Sequence, residues 1–172
     1  MPAETTYTAI QTYTMANSTT NAVVFSSIPQ TYTDLILIAY NRDTTASVTP
    51  VFFQTVNSDS SSLYSYLTLT GDGTASSARV TSTAPWGVTL QTGASATAGV
   101  FATTRIYYPS YSNTTTNKMF LAESAADSNN VGSFRLSAGL YRSTNAITNI
   151  TVQAAQFFAQ SSMFTLYGIK AA

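Results

Sequence analysis

Ser133-Phe134-Arg135-Leu136-Ser137-Ala138-Gly139-Leu140 carries an apolar residue at every second position and a small or polar one between. A period of two belongs to an extended strand with one buried and one solvated face; a helix would repeat near 3.6. The stretch therefore reads as a half-buried strand with Phe134, Leu136, Ala138 and Leu140 on one side. Its neighbours follow suit. Asn117–Ala125 and Val100–Tyr108 precede it, the latter stopped by Pro109, and Ile147–Gln153 and Met163–Ile169 follow it. Earlier runs are Tyr7–Thr14, Ala22–Phe25, Val51–Val56 and Leu63–Leu69, rich in β-branched and aromatic residues. Leu35-Ile36-Leu37-Ile38-Ala39-Tyr40 is continuously apolar and reads as a strand buried on both faces.

Asn57–Ser62, Gly71-Asp72-Gly73 and Asp127-Ser128-Asn129-Asn130 separate these runs and read as turns. About ten short strands without intervening helices predict an all-β fold, an antiparallel two-sheet β-sandwich of jelly-roll type. Neither a linker nor an internal repeat divides the 172 residues, so the expectation is a single domain. It carries an N-terminal arm over about residues 1–20. A long irregular excursion with one short strand is expected over about residues 74–98, around Trp86.

Composition excludes much chemistry. His and Cys are absent, which removes disulfides, thiolate nucleophiles, the Ser-His-Asp triad and most transition-metal sites. Charged residues are 8% of the chain, against about 25% in ordinary soluble domains. Seven Lys and Arg balance seven Asp and Glu, so no basic footprint suits nucleic acid or an anionic membrane. No apolar run is long enough to span a bilayer as a helix, and Met1–Gln11 lacks the pattern of a signal peptide. Ser and Thr supply roughly three residues in ten, far above ordinary usage. A neutral, hydroxyl-rich surface suits permanent burial in an assembly, where fixed charges would have to be desolvated.

The remaining candidates for chemistry are thin. Glu123 and Asp127 are the nearest acids of use to a glycosidase, yet in a strand they stand about 13 Å apart at about 3.3 Å per residue. Asp34 or Asp43 converging with Glu123 is the other conceivable pair. Asn57-Ser58-Asp59 and Asp127–Asn130 read as Asx-turns and lack the ligand spacing of a calcium loop. The sequons at Asn17, Asn113 and Asn149 are expected by chance in a Thr-rich chain. No catalytic residue, metal ligand or cofactor site is assigned. Tyrosines are the suggestive group, because exposed ones anchor protein or sugar contacts. Tyr7, Tyr13, Trp86, Tyr107, Tyr108 and Tyr111 are the interface candidates, with core packing as the alternative for any single Tyr.

An ordered set of segments carries a family resemblance. It begins with Ile28-Pro29-Gln30-Thr31-Tyr32-Thr33-Asp34-Leu35 and continues through Tyr64-Ser65-Tyr66, Gly71-Asp72-Gly73, Ile106–Tyr111 and Asn117–Phe120. Gly139-Leu140-Tyr141-Arg142-Ser143-Thr144-Asn145-Ala146-Ile147-Thr148-Asn149-Ile150 and Phe164-Thr165-Leu166-Tyr167-Gly168-Ile169 complete it. The set resembles small β-rich virion structural proteins of tailed bacteriophages, marine and cyanobacterial ones especially. Residues 1–27 and the region around Trp86 lie outside the resemblance.

That resemblance implies a particle component without enzymatic activity. The leading expectation is a capsid decoration (cement) protein on the capsid exterior. It would bind the major capsid protein and stabilise its assembled shell, as a homo-oligomer, in particular a trimer. Nucleic acid and membrane are not among the expected partners. The alternative is a tail or fibre protein whose β-sandwich binds a receptor or glycan. Against it stands the absence of shaft repeats or heptads.

Overall fold

The computed structural model describes residues 6–83, 86–128 and 131–170. Twelve strands run in chain order: β1 (Tyr7–Thr14), β2 (Ala22–Phe25), β3 (Asp34–Asn41), β4 (Val51–Val56), β5 (Tyr64–Gly71) and β6 (Ala75–Thr83), then β7 (Trp86–Leu90), β8 (Ala102–Tyr108), β9 (Lys118–Asp127), β10 (Gly132–Tyr141), β11 (Ile150–Gln153) and β12 (Met163–Ile169). Among the described residues there is no helix. The strands form an eight-stranded sheet, β1-β12-β3-β8-β9-β10-β5-β6, and a four-stranded sheet, β2-β11-β4-β7. Every neighbouring pair is antiparallel. The molecule is an all-β sandwich.

With the hairpins β5–β6 and β9–β10 set aside, the remaining eight strands lie in the orders β1-β12-β3-β8 and β2-β11-β4-β7, consecutive strands changing sheet except from β4 to β7. That is the winding of an eight-stranded jelly roll. Both hairpins join the same sheet beyond β8, which doubles its width and leaves the other sheet at four strands.

The core between the sheets is aromatic. Phe52, Phe158 and Phe164 pack with ring centroids 4.7–6.2 Å apart. Phe25, Leu35, Leu37 and Ile106 are fully buried beside them. Each such side chain contributes roughly 1.5–3 kcal/mol when removed from water.

The strands depart from sequence expectation in which side they bury. In β3, Leu35, Leu37 and Ala39 face the core; on the other side Ile36 is buried while Ile38 and Tyr40 are exposed, so the strand is covered on both faces only at its start. In β10 the small residues Ser137 and Gly139 point inward and Phe134, Leu136, Ala138 and Leu140 point outward. The cause lies across the ladder. Gly139 pairs with Phe120, whose ring occupies the space a Cβ would need; Tyr141 and Tyr64 stack beside it at 4.8 Å.

Residues 74–98 differ too. They carry two strands, β6 and β7, before a loop over residues 91–101. Arg42 pins that loop by donating from Nη1 to the carbonyls of Thr97 (2.8 Å) and Val100 (2.9 Å), and from Nη2 to those of Ala94 (3.4 Å) and Ala96 (3.1 Å). Of the expected N-terminal arm, residues 7–14 form β1 on the edge of the large sheet, and residues 1–5 lie outside the described part.

Candidate interaction surface

The side of the eight-stranded sheet that faces away from the core is the feature of interest. Alternation and register place its side chains in rows across the strands. One row runs Thr12–Thr165–Ile38–Arg105–Glu123–Leu136–Leu69–Ser77, from β1 through β12, β3, β8, β9, β10 and β5 to β6. The next runs Tyr167–Ile36–Tyr107–Leu121–Ala138–Leu67–Arg79. The row on the other side contains Met163, Tyr40, Thr103, Ala125 and Phe134. A solvated sheet face ordinarily carries polar residues at these positions. Here most are apolar.

Among the described residues, twelve large hydrophobic side chains are substantially exposed, between 44% and 55%. Nine of them lie on this face: Ile38 and Tyr40 of β3, Leu67 and Leu69 of β5, Met119 and Leu121 of β9, with Tyr7, Phe134 and Met163 at its borders. Tyr40 stacks on Phe101 at 4.9 Å, and Tyr7 meets Tyr167 edge-on at 6.5 Å.

Two opposite charges sit in the middle. Arg105 Nη2 donates to Glu123 Oε1 at 2.8 Å, across the ladder between β8 and β9, with both side chains partly exposed. A shallow hollow of about 230 Å³ opens beside this pair, lined by Tyr7, Ile36, Tyr107, Leu121 and Ile169. The Tyr107 hydroxyl donates to Asp34 Oδ2 at 2.8 Å, and this carboxylate together with partial burial pushes the phenol pKa upward.

The six aromatic candidates separate cleanly. Tyr7 and Tyr107 stand on the outward face. Tyr13 packs edge-on against Phe25 at 5.3 Å and donates to the Val24 carbonyl at 2.9 Å, closing the edge of the sandwich. Tyr108 and Tyr111 are buried: their hydroxyls donate to Gln54 Oε1 and to the Pro29 carbonyl, which makes them core residues. Burial raises the pKa of both. Trp86 enters β7 opposite Gln54, and its side chain lies outside what the structure describes. The leucines, isoleucine and methionines that make up most of the face lie in stretches that the sequence reads as strands, and alternation alone holds no signal of which side points outward.

The carboxylates are occupied structurally. Asp34 also accepts from the Ser110 amide at 2.7 Å. Asp59 accepts from the Ser61 amide (2.8 Å) and the Tyr141 hydroxyl (2.7 Å), which lower its pKa, while burial and the same carboxylate push Tyr141 up to about 12. Asp43 is buried between the sheets' ends, held by the Thr45 amide (3.0 Å), the Thr45 hydroxyl (2.6 Å) and Gln91 Nε2 (3.0 Å). Desolvation raises its pKa against the pull of those hydrogen bonds. Among the described residues no cluster of three or more acidic side chains gathers to hold a metal ion. No protein-family model, no curated protein and no solved structure matches the chain.

Proposed function

We propose that this chain is a non-enzymatic structural protein of a virion, a decoration (cement) protein on the exterior of a tailed-phage capsid. In this reading it binds the major capsid protein shell and associates with further copies of itself. The observation that carries the proposal is the outward face of the eight-stranded sheet: a broad, mostly apolar surface with an ion pair at its centre and Arg79 at its β6 edge. A protein that spends its life in solution gains nothing from such a surface; one that is buried in an assembly does. The low share of charged residues in the chain, 8%, supports the same reading, as does the ordered set of segments resembling small phage virion proteins.

The mechanism is mass action. A protein that binds only the assembled shell stabilises that state by RT ln(1 + [L]/Kd), which is about 2.7 kcal/mol per site at a hundredfold excess over Kd. The test is the copy number of this chain per purified particle, relative to the major capsid protein, by quantitative mass spectrometry. A near-stoichiometric ratio is expected. A ratio of only a few copies per particle moves the protein to the tail or fibres, and absence from particles overturns the virion reading.

A further inference from the structure

We propose that the outward face of the eight-stranded sheet is a two-fold interface, covered by the same face of a second copy of this chain. This concerns the self-association part of the reading above, puts a two-fold pair in place of the trimer expected from the sequence, and does not depend on the virion. The exposed apolar area of this face is that of an interface. Nine large side chains about half exposed, each able to bury roughly 200 Å², present on the order of 900 Å². The largest apolar patch of a typical monomer is roughly 300–600 Å², whereas a stable interface needs about 800 Å² per partner.

Charge selects the occupant. Arg105 and Glu123 lie opposite each other on β8 and β9, and these are the fourth and fifth strands of the eight. A two-fold axis parallel to the strands and between β8 and β9, in the plane of contact, lays four strands over four. Arg105 then faces Glu123 of the second copy, and Glu123 faces its Arg105. Four charges alternate around the axis and none is buried unpaired, as an isologous contact requires. Arg105 and Glu123 already neutralise each other within one chain at 2.8 Å, so the second copy adds a further opposite charge to each, whereas a partner with a net charge at this point would repel one of them. The same operation sets β3 over β10 of the second copy, so Ile38 meets Leu136 and Tyr40 meets Phe134 in the same rows. In the next row Tyr107 meets Leu121 and Ile36 meets Ala138.

The experiment is sedimentation velocity on the purified full chain, with charge reversals at the axis. The wild type is expected to sediment as a dimer at micromolar concentration. Arg105→Glu gathers four carboxylates at the axis and should weaken the dimer about tenfold or more, as Glu123→Arg should through four cations. The double reversal R105E/E123R should restore dimerisation to within about threefold. Because the pair is partly exposed in the single chain, its loss costs the fold little, and circular dichroism checks that each variant is folded.

Register is read independently by crosslinking. Stacked sheets hold their backbones about 10 Å apart, so a short bis-maleimide, not a disulfide, is the right probe. The chain has no native cysteine to interfere. Ile38→Cys combined with Leu136→Cys should crosslink into dimers, whereas Val24→Cys on the four-stranded sheet should not. A monomer at all concentrations, a trimer, a dimer indifferent to both reversals, or equal crosslinking from Val24→Cys each overturns the proposal. Particle copy number is measured separately: a dimer absent from particles would leave this inference standing and overturn the virion reading, while a particle-bound monomer would overturn this inference alone.

Discussion

Two buried polar residues show what the core demands of single side chains. Tyr108 is fully buried and its hydroxyl donates to Gln54 Oε1, while Gln54 Nε2 has no partner among the described residues. Tyr108→Phe would leave the other end of that amide unpaired as well, at a cost of about 1–3 kcal/mol. At this chain length each kcal/mol shifts Tm by roughly 2–4 °C, so a scanning calorimetry trace should show a clear fall. Tyr7→Ala, on the outward face, should leave the unfolding of the isolated chain nearly unchanged. Asp43 makes the corresponding argument for charge. Its pKa in the fold lies above the unfolded value of 3.8, so between the two values the folded chain binds the more protons. Stability from this group is therefore greatest at low pH and falls as pH rises through the raised value. Asp59 works in the opposite sense, its contribution present above its unfolded pKa and lost as pH falls. Asp43→Asn removes the first term, so the unfolding free energy of the variant should rise relative to wild type across that window. Urea titrations at several pH values test this; a pH-independent difference would rule it out.

At the level of strands, Gly139 and Arg42 carry more than their size suggests. A Cβ on Gly139 would lie 1.7 and 1.9 Å from two ring atoms of Phe120, in the buried layer between the sheets. Gly139→Ala should cost about 2–3 kcal/mol or more by overpacking. Gly71, with open space at the same position, should accept alanine within about 0.5 kcal/mol. The difference in urea midpoint between these two variants is the measurement. Arg42 holds the loop after β7 through four carbonyls, so Arg42→Met should accelerate amide exchange over residues 93–100 and leave β3 and β12 protected. These elements also show what sequence reading could reach. Tyr7–Thr14, Ala22–Phe25, Val51–Val56 and Met163–Ile169 were legible to the residue, because β-branched and aromatic runs bounded by turn residues have few alternatives. The inward side of β10 was not. A period of two names two faces and leaves open which is buried; that was decided by Phe120, whose ring needs a small neighbour from β10 at Gly139. The apolar surface was hidden for the same reason. Leu67, Leu121 and Leu136 look like core residues until the fold shows that the second sheet lies on their other side.

For the whole molecule, the N-terminal strand decides whether the wide sheet has a clean edge. β1 pairs with β12 over Tyr7–Thr14 and Met163–Ile169, joining the two ends of the sequence. It covers the N–H and C=O groups of β12 that β3 does not, and Tyr13 seals the sandwich over Phe25. Charged residues, which ordinarily guard a bare edge, are absent from β12 itself. Deleting residues 1–14 should therefore lower stability and expose Met163–Ile169 as a template for edge-to-edge pairing. The four central strands β3, β8, β9 and β10 would remain, and with them the Arg105–Glu123 axis. The truncated chain should thus keep a weakened two-fold dimer and also form larger, concentration-dependent aggregates, both visible in one sedimentation velocity run alongside light scattering. If it instead stays clear and melts with the full chain, residues 7–14 act as a detachable arm, and their place in the assembly would have to be sought on another copy or on the shell.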